Sequence, residues 1–163
     1  MSLPERSERL RRRILSRWGF CAYLWRNLPL AGFAGLKLRR LDDQACEVSV
    51  PGGWRTQNPF ASTYFAAQAM AAEMSTGAPA LVLAAGASAS VAALVVELRA
   101  SFVKRIVGPS VFTFSDMAGM RTALERAASA SDPERFTARS VGRSADGAVA
   151  SEFAITWSFK RRS

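Results

Sequence analysis

The alternation of apolar and polar positions divides the chain into helical and strand-like stretches. Over Glu5–Leu28, residues Leu10, Ile14, Trp18, Ala22 and Trp25 recur at helical spacing, while Arg11, Arg12 and Arg13 take the other faces. This predicts one amphipathic helix ended by Pro29 and Gly32. Its apolar side, with Leu10, Ile14, Trp18 and Trp25, is expected to pack on the protein. A helix lying on a membrane surface, tryptophans on one side and arginines on the other, is the competing reading. Leu36–Leu41 and Ala45–Val50 read as a hairpin about Asp42-Asp43, with Cys46, Val48 and Val50 on one side. After Pro51-Gly52-Gly53, Asn58-Pro59 marks a stop before the strongest helical stretch. That stretch covers residues 63–76, with Ser62 or Thr63 as its cap, Gly77 as its end and Pro79 beyond. Alanines at 66, 67, 69, 71 and 72 leave it without side-chain bulk or a polar stripe, so it should be wrapped rather than laid on a surface.

The second half is rich in strand patterns. Val91–Val103 carries long β-favouring runs, and Pro109–Ser115 reads as a short strand. Asp116 can cap a helix through Met117, Met120, Leu124 and Ala127. Arg135–Arg143 and Ala148–Lys160 form a hairpin about Ser144-Ala145-Asp146-Gly147, and in the last arm Phe153, Ile155, Trp157 and Phe159 share one face. One strongly curved antiparallel sheet wrapped around the apolar helix accommodates this order. The expected class is therefore α+β, with an N-terminal helical extension over 1–30, a core over 36–159 and a single domain over 1–163. The outer face of such a sheet would need cover from the extension or from a second subunit.

Composition narrows the functional classes. The length and the 49 % apolar content suit one domain with a real core. Histidine is absent, which excludes a histidine-containing triad and the common histidine-based zinc sites. Cys21 and Cys46 have no metal-binding spacing and fit a reduced, cytoplasmic setting. No metal is expected. The formal charge of +9 sits mostly at the ends: six arginines against two glutamates in residues 1–17, then Lys160, Arg161 and Arg162. The body lacks a basic-aromatic array, so no nucleic-acid partner is expected. The start has charges throughout rather than the apolar core of a secretory signal. Thr76–Val96 is uncharged, but Ala, Ser and Gly dominate it and Gly77, Pro79 and Gly86 interrupt it, so no transmembrane segment is expected.

One residue stands out chemically. Glu73 is the only charged residue between Arg55 and Glu97, and it lies inside the apolar helix. No cation lies three or four places away to neutralise it. Either a partner comes from elsewhere in the fold, or Glu73 sits in a cleft and acts.

Three segments carry a resemblance. GWRTQNPFASTYFAAQAMAAEMSTG is similar to the central-helix region of the hotdog-fold thioesterase superfamily, in particular its PaaI-like and uncharacterised DUF4442 branches. SFVKRIVG resembles the superfamily's strand and following basic turn, and SADGAVASEFAITWSF its closing hairpin. The similarity covers roughly Leu36–Phe159. It implies a homodimer or a dimer of dimers whose sheets join edge to edge, with acyl-thioester sites at the dimer interface beside the central helices. Glu73 matches the position that serves as nucleophile or general base. Asn58 matches a position, often His or Asn, near the thioester. Ala61 and Ser62 match the turn whose amides hold the thioester oxygen, although NPFAS stands where many enzymes have a Gly-rich turn.

The implied function is an acyl-CoA thioesterase-like hydrolase, with coenzyme A as part of the substrate and no separate cofactor. The alternative is a non-catalytic binder of acyl thioesters or lipids. The chemistry suits the first reading: a carboxylate can attack or deprotonate water, and free N–H groups at a helix start can take the developing oxyanion. Thr76, one turn from Glu73, can bond to its carboxylate or back to the main chain. Ser62 is a substrate-binding candidate or a plain helix cap. Lys104 and Arg105 are candidates for the phosphates of coenzyme A or residues of a solvated turn. Dehydratase chemistry usually needs a histidine beside the carboxylate and is disfavoured.

Overall fold

The computed structural model describes residues 3–162, so the outer bounds of the expected domain, 1 and 163, lie outside the described residues. The N-terminal extension is not one helix but three: α1 (Glu5–Leu15), α2 (Arg17–Asn27) and α3 (Pro29–Ala34). The break falls at Ser16, whose backbone is extended and whose hydroxyl accepts from the Gly19 amide at 3.1 Å, capping α2. Periodicity alone missed this cap because the apolar spacing runs through it. The break also redirects the tryptophans. Ile14 is buried and Leu10 packs partly on the core, but Trp18 and Trp25 are exposed, contrary to expectation.

The hairpin follows as β1 (Lys37–Leu41) and β2 (Cys46–Val50). The central helix α4 spans Phe65–Ala85 and runs straight through Gly77 and Pro79, where the sequence predicts a stop. Burial outweighs the local propensity. Ala78, Pro79, Ala80, Val82 and Leu83 are all buried, and Ser7 of α1 donates to the Val82 carbonyl at 2.7 Å. Then come β3 (Val91–Phe102), β4 (Ser110–Phe114), α5 (Met117–Ser129), β5 (Glu134–Ser144) and β6 (Val149–Arg161). Asp116 caps α5 as expected, accepting from the Gly119 amide at 2.9 Å.

The six strands form one antiparallel sheet in the order β1-β2-β4-β5-β6-β3, curved around α4. Its helix-facing side carries Val48, Phe112, Phe114, Phe153, Ile155 and Phe159, all fully or nearly fully buried. The outer face carries Thr137, Arg139, Glu152 and Thr156, joined by an Arg139–Glu152 ion pair at 3.4 Å and a Thr137–Thr156 hydrogen bond at 3.0 Å. It is polar and needs no cover there. The extension packs on α4 and β1, on the helix side, rather than over the outer face.

The two ends of the sheet differ. β3 is an edge strand of 12 residues with one neighbour, β6. Its register with β6 places Leu98 and Phe102 on the helix-facing side, yet both are exposed, as are Leu94 and Val96. α4 leaves them uncovered.

Candidate functional site

The loop before α4 is built around Asn58. Its side-chain oxygen accepts from the amides of Phe60 (3.0 Å) and Ser62 (3.2 Å) and from the Ser62 hydroxyl (3.1 Å). The Ala61 amide donates to the Asn58 carbonyl at 3.1 Å. Ala61 has a φ of 54°, the left-handed conformation that usually selects glycine. An alanine thus holds a conformation that a glycine would take without strain. However, the two amides expected to hold a thioester oxygen are already hydrogen-bonded inside the loop. The Ser62 side chain is bonded in the same way, and the residue capping α4 is Tyr64, with no side-chain cap bond.

The free donors lie slightly further on. Tyr64 donates to the Thr56 carbonyl at 2.7 Å, and the first intrahelical bonds start at Ala67. The amides of Phe65 and Ala66 make no hydrogen bond among the described residues. They are the open N–H groups at the positive end of a 21-residue helix. Phe65 lines a cavity of about 480 Å³ together with Asn58, Ser62, Gln68, Phe102, Lys104 and Arg105. Gln68 donates through Nε2 to the Thr63 carbonyl at 3.1 Å, while its Oε1 is buried with no partner. Lys104 pairs with Asp146 at 2.6 Å, which holds the Asp146 carboxyl well below its usual range. Arg105 is exposed and makes no ion pair among the described residues.

Glu73 lies elsewhere. It opens into a second cavity, of about 350 Å³, lined by Phe20 and Tyr23 of α2, Leu28, Val91 and Ala93 of β3, and Trp157. Its carboxyl makes no ion pair and no hydrogen bond among the described residues. Burial pushes it above the ordinary carboxylate range. Of the two alternatives left by the sequence, a partner from elsewhere in the fold is not found among the described residues, and the carboxylate opens into a cleft. The carboxylate lies over Gly77, where an added Cβ would stand 2.9 Å from Oε1. Glycine at 77 makes room for the acid rather than ending the helix. Thr76 does not bond to the carboxylate; its hydroxyl donates to the Glu73 carbonyl at 2.9 Å and accepts from Trp157 Nε1 at 3.0 Å. Tyr23 faces Glu73, and its phenol is raised first by burial and then by the Glu73 charge.

Within one chain the expected residues therefore fall into two separate groups. Asn58, Ala61, Ser62, Lys104 and Arg105 gather at the start of α4. Glu73 and Thr76 lie on a different part of the helix. Phe65 and Glu73 are eight residues apart, roughly 12 Å along the axis. Sequence reasoning missed Gln68, the one amide side chain in the alanine run, and Tyr23, which the helical pattern placed in no site. The first was legible in principle as a polar residue without a solvent face. The second depends on the break at Ser16.

No protein-family model matches the chain, and no curated protein matches it. Solved structures do. A Pseudomonas aeruginosa protein of unknown function, described as a probable thioesterase, superposes with a TM-score of 0.71 at 19% identity, covering 98% of this chain and 99% of that one. The thioesterase HI1161 of Haemophilus influenzae matches with a TM-score of 0.66 at 10% identity, covering 90% and 91%. A thioesterase of Pseudomonas aeruginosa, solved in mutant form, matches with 0.63 at 16% identity, covering 88% and 93%. At these identities the likeness shows the fold, which is the hotdog fold.

Proposed function

We propose that the protein is an acyl-CoA thioesterase-like hydrolase whose working unit is a homodimer, in the PaaI-like or DUF4442 branch of the hotdog superfamily. One observation carries this reading: two incomplete half-sites lie at opposite ends of one edge strand whose outer side has no partner among the described residues. The Glu73 cavity includes Val91 and Ala93, at the start of β3. The cavity at the start of α4 includes Phe102 and Val103, at its end. Antiparallel pairing of β3 with a second β3 about its midpoint sets Val91 of one copy opposite Phe102 of the other. Each Glu73 then meets the α4 start of the other copy. The same pairing satisfies the open edge and covers Leu98 and Phe102.

In the combined site the open amides of Phe65 and Ala66 receive the carbonyl oxygen as it gains negative charge. Glu73 of the opposing copy either deprotonates a water or attacks the carbonyl carbon itself. Burial raises its proton affinity, which makes it a stronger base than an exposed glutamate. Asn58 uses only its side-chain oxygen in the loop, which leaves Nδ2 to donate to water or to the thioester. Arg105 is the better phosphate candidate, since Lys104 is held by Asp146. The carbonyl–sulfur bond breaks and coenzyme A leaves as a thiolate; in the first route water becomes part of the released carboxylic acid, and in the second the acyl group stays on Glu73 as an anhydride that water then cleaves. The second reading, a non-catalytic acyl-thioester binder, is favoured by the bonded state of the Ala61 and Ser62 amides.

The test is free-thiol release across a panel of acyl-CoA substrates, with ligand binding followed on the same samples. Thiol release that tracks folded protein supports hydrolysis. Binding without release selects the binder, and the absence of both binding and release overturns both readings.

A further inference from the structure

The exposed aromatic residues and the charge of the N-terminal extension form one surface. Trp18 is 80% exposed, Trp25 58%, Leu30 67% and Trp54 77%. Trp18 and Trp25 lie seven residues apart on one face of α2. Trp25 packs over Gly32, and Phe33 meets Trp54 edge-on with ring centroids 5.9 Å apart. Arg55 donates to the Phe33 carbonyl at 3.3 Å, and the Arg17 guanidinium stands 5.9 Å from the Trp18 ring. Between Glu8 and Asp42 the chain carries nine Lys and Arg residues; Arg9, Arg11, Arg12 and Arg40 pair with Glu5, Glu8 and Asp42, while Arg13, Arg17, Arg26, Lys37 and Arg39 make no ion pair among the described residues. Helix α2 is thus two-sided: Phe20 and Leu24 face inward, while Trp18, Cys21 and Trp25 face out.

We propose that this surface docks the protein on an anionic lipid bilayer. The side chains fit the boundary between headgroups and acyl chains. Tryptophan rings settle at that depth, Leu28 and Leu30 add insertable aliphatic surface, and surrounding guanidinium groups meet the lipid phosphates. No helix among the described residues is long and apolar enough to cross a membrane, so the contact is peripheral. A second copy of the same face is a poor occupant, because like charges would oppose one another across a twofold contact. Nucleic acid would use the arginines but leave the exposed leucines idle. Lys37 and Arg39 of β1 border the surface, at the sheet edge opposite β3, so pairing through β3 leaves that edge open. The inference does not depend on the proposed reaction. It does place Phe20, Tyr23 and Leu28, which wall the Glu73 cavity, directly beneath the lipid contact.

The experiment is cosedimentation of the full chain with vesicles of phosphatidylcholine alone and with phosphatidylserine added. Tryptophan emission is followed in parallel with brominated acyl chains as quenchers. The expected result is binding to the anionic vesicles only, lost at high salt, with a blue shift and quenching of the tryptophans. Trp18→Ser with Leu30→Ser, and separately Arg17→Gln with Arg26→Gln, should each lower partitioning roughly tenfold or more. Both pairs are solvent-exposed, so thermal melting should stay at the wild-type value. No binding of the wild type to anionic vesicles overturns the proposal, as does equal binding to phosphatidylcholine alone. Binding of a fluorescent oligonucleotide without vesicle binding overturns it in favour of nucleic acid.

Discussion

The indole N–H of Trp157 donates to Thr76 Oγ1 at 3.0 Å, joining the last strand to the turn of α4 that carries Glu73. Thr76 passes the constraint on by donating to the Glu73 carbonyl at 2.9 Å. Replacing Thr76 by Val keeps the shape but leaves a buried indole donor unpaired, at a cost of about 1–3 kcal/mol. The melting temperature of Thr76→Val should fall, and Thr76→Ser, which keeps the hydroxyl, should recover most of the loss. Equal melting of Thr76→Val and wild type would show that the bond contributes nothing.

Asn58 allows architecture and chemistry to be separated. Its oxygen organises the loop through Phe60 and Ser62, whereas its Nδ2 is bonded to nothing among the described residues. Asn58→Ala should lower stability by about 1–2 kcal/mol by stranding two amides and a hydroxyl. Asn58→Asp keeps the acceptor, removes the donor and adds a negative charge. It should melt near the wild-type temperature while turnover falls about 100-fold, the scale of a lost carbonyl-binding donor. Full turnover in Asn58→Asp would confine Asn58 to the loop.

Ala61 carries a related test. Its φ of 54° is strained for any residue with a Cβ. Ala61→Gly should raise stability by about 0.5–1 kcal/mol despite the entropy that glycine adds to the unfolded chain. Denaturant melts at matched protein concentration decide the sign.

The strands and the inward face of β6 were legible because alternation has period two and one face is buried. Phe153, Ile155, Trp157 and Phe159 all point inward as their spacing indicates. The end of α4 was not legible. Gly77 and Pro79 are local breakers, and only tertiary burial on both sides keeps the helix going through them. The fate of Trp18 and Trp25 was hidden for a similar reason: a single Ser16 cap rotates the second helix relative to the first. At the site, the isolation of Glu73 was plain from the absence of neighbouring cations. That it would lie apart from Asn58 was not, because linear spacing says nothing about which cavity a helix face opens into.

Leu98 tests the assembly. It sits on the helix-facing side of β3, exposed, where the proposed twofold pairing would bury it. Light scattering should give the wild type about twice the 17.7 kDa chain mass. Leu98→Lys, harmless to an isolated chain, should give the single-chain mass and lose turnover together with assembly. A monomeric wild type would remove the combined site.

Glu73→Gln decides the chemistry, and pH makes the decision sharp. Burial raises the Glu73 carboxyl in the folded protein, and no ion pair or hydrogen bond among the described residues offsets it. The folded state therefore holds this proton more readily than the unfolded chain does. The contribution to stability is fully present below the unfolded glutamate value of about 4.3 and is lost as pH rises through the higher folded value. Gln carries no charge at any pH. Its stability relative to the wild type should climb over that window and then level off, the opposite of what breaking a buried ion pair would do. Turnover runs the other way. A base must be ionised, so wild-type kcat/KM should rise with pH through the raised Glu73 value, and Glu73→Gln should be slower by roughly 100-fold or more at the plateau. Rates are compared per folded molecule, with melts taken on the same samples. An unchanged specific rate in Glu73→Gln would take the carboxylate out of the mechanism and leave the cavity as a binding pocket.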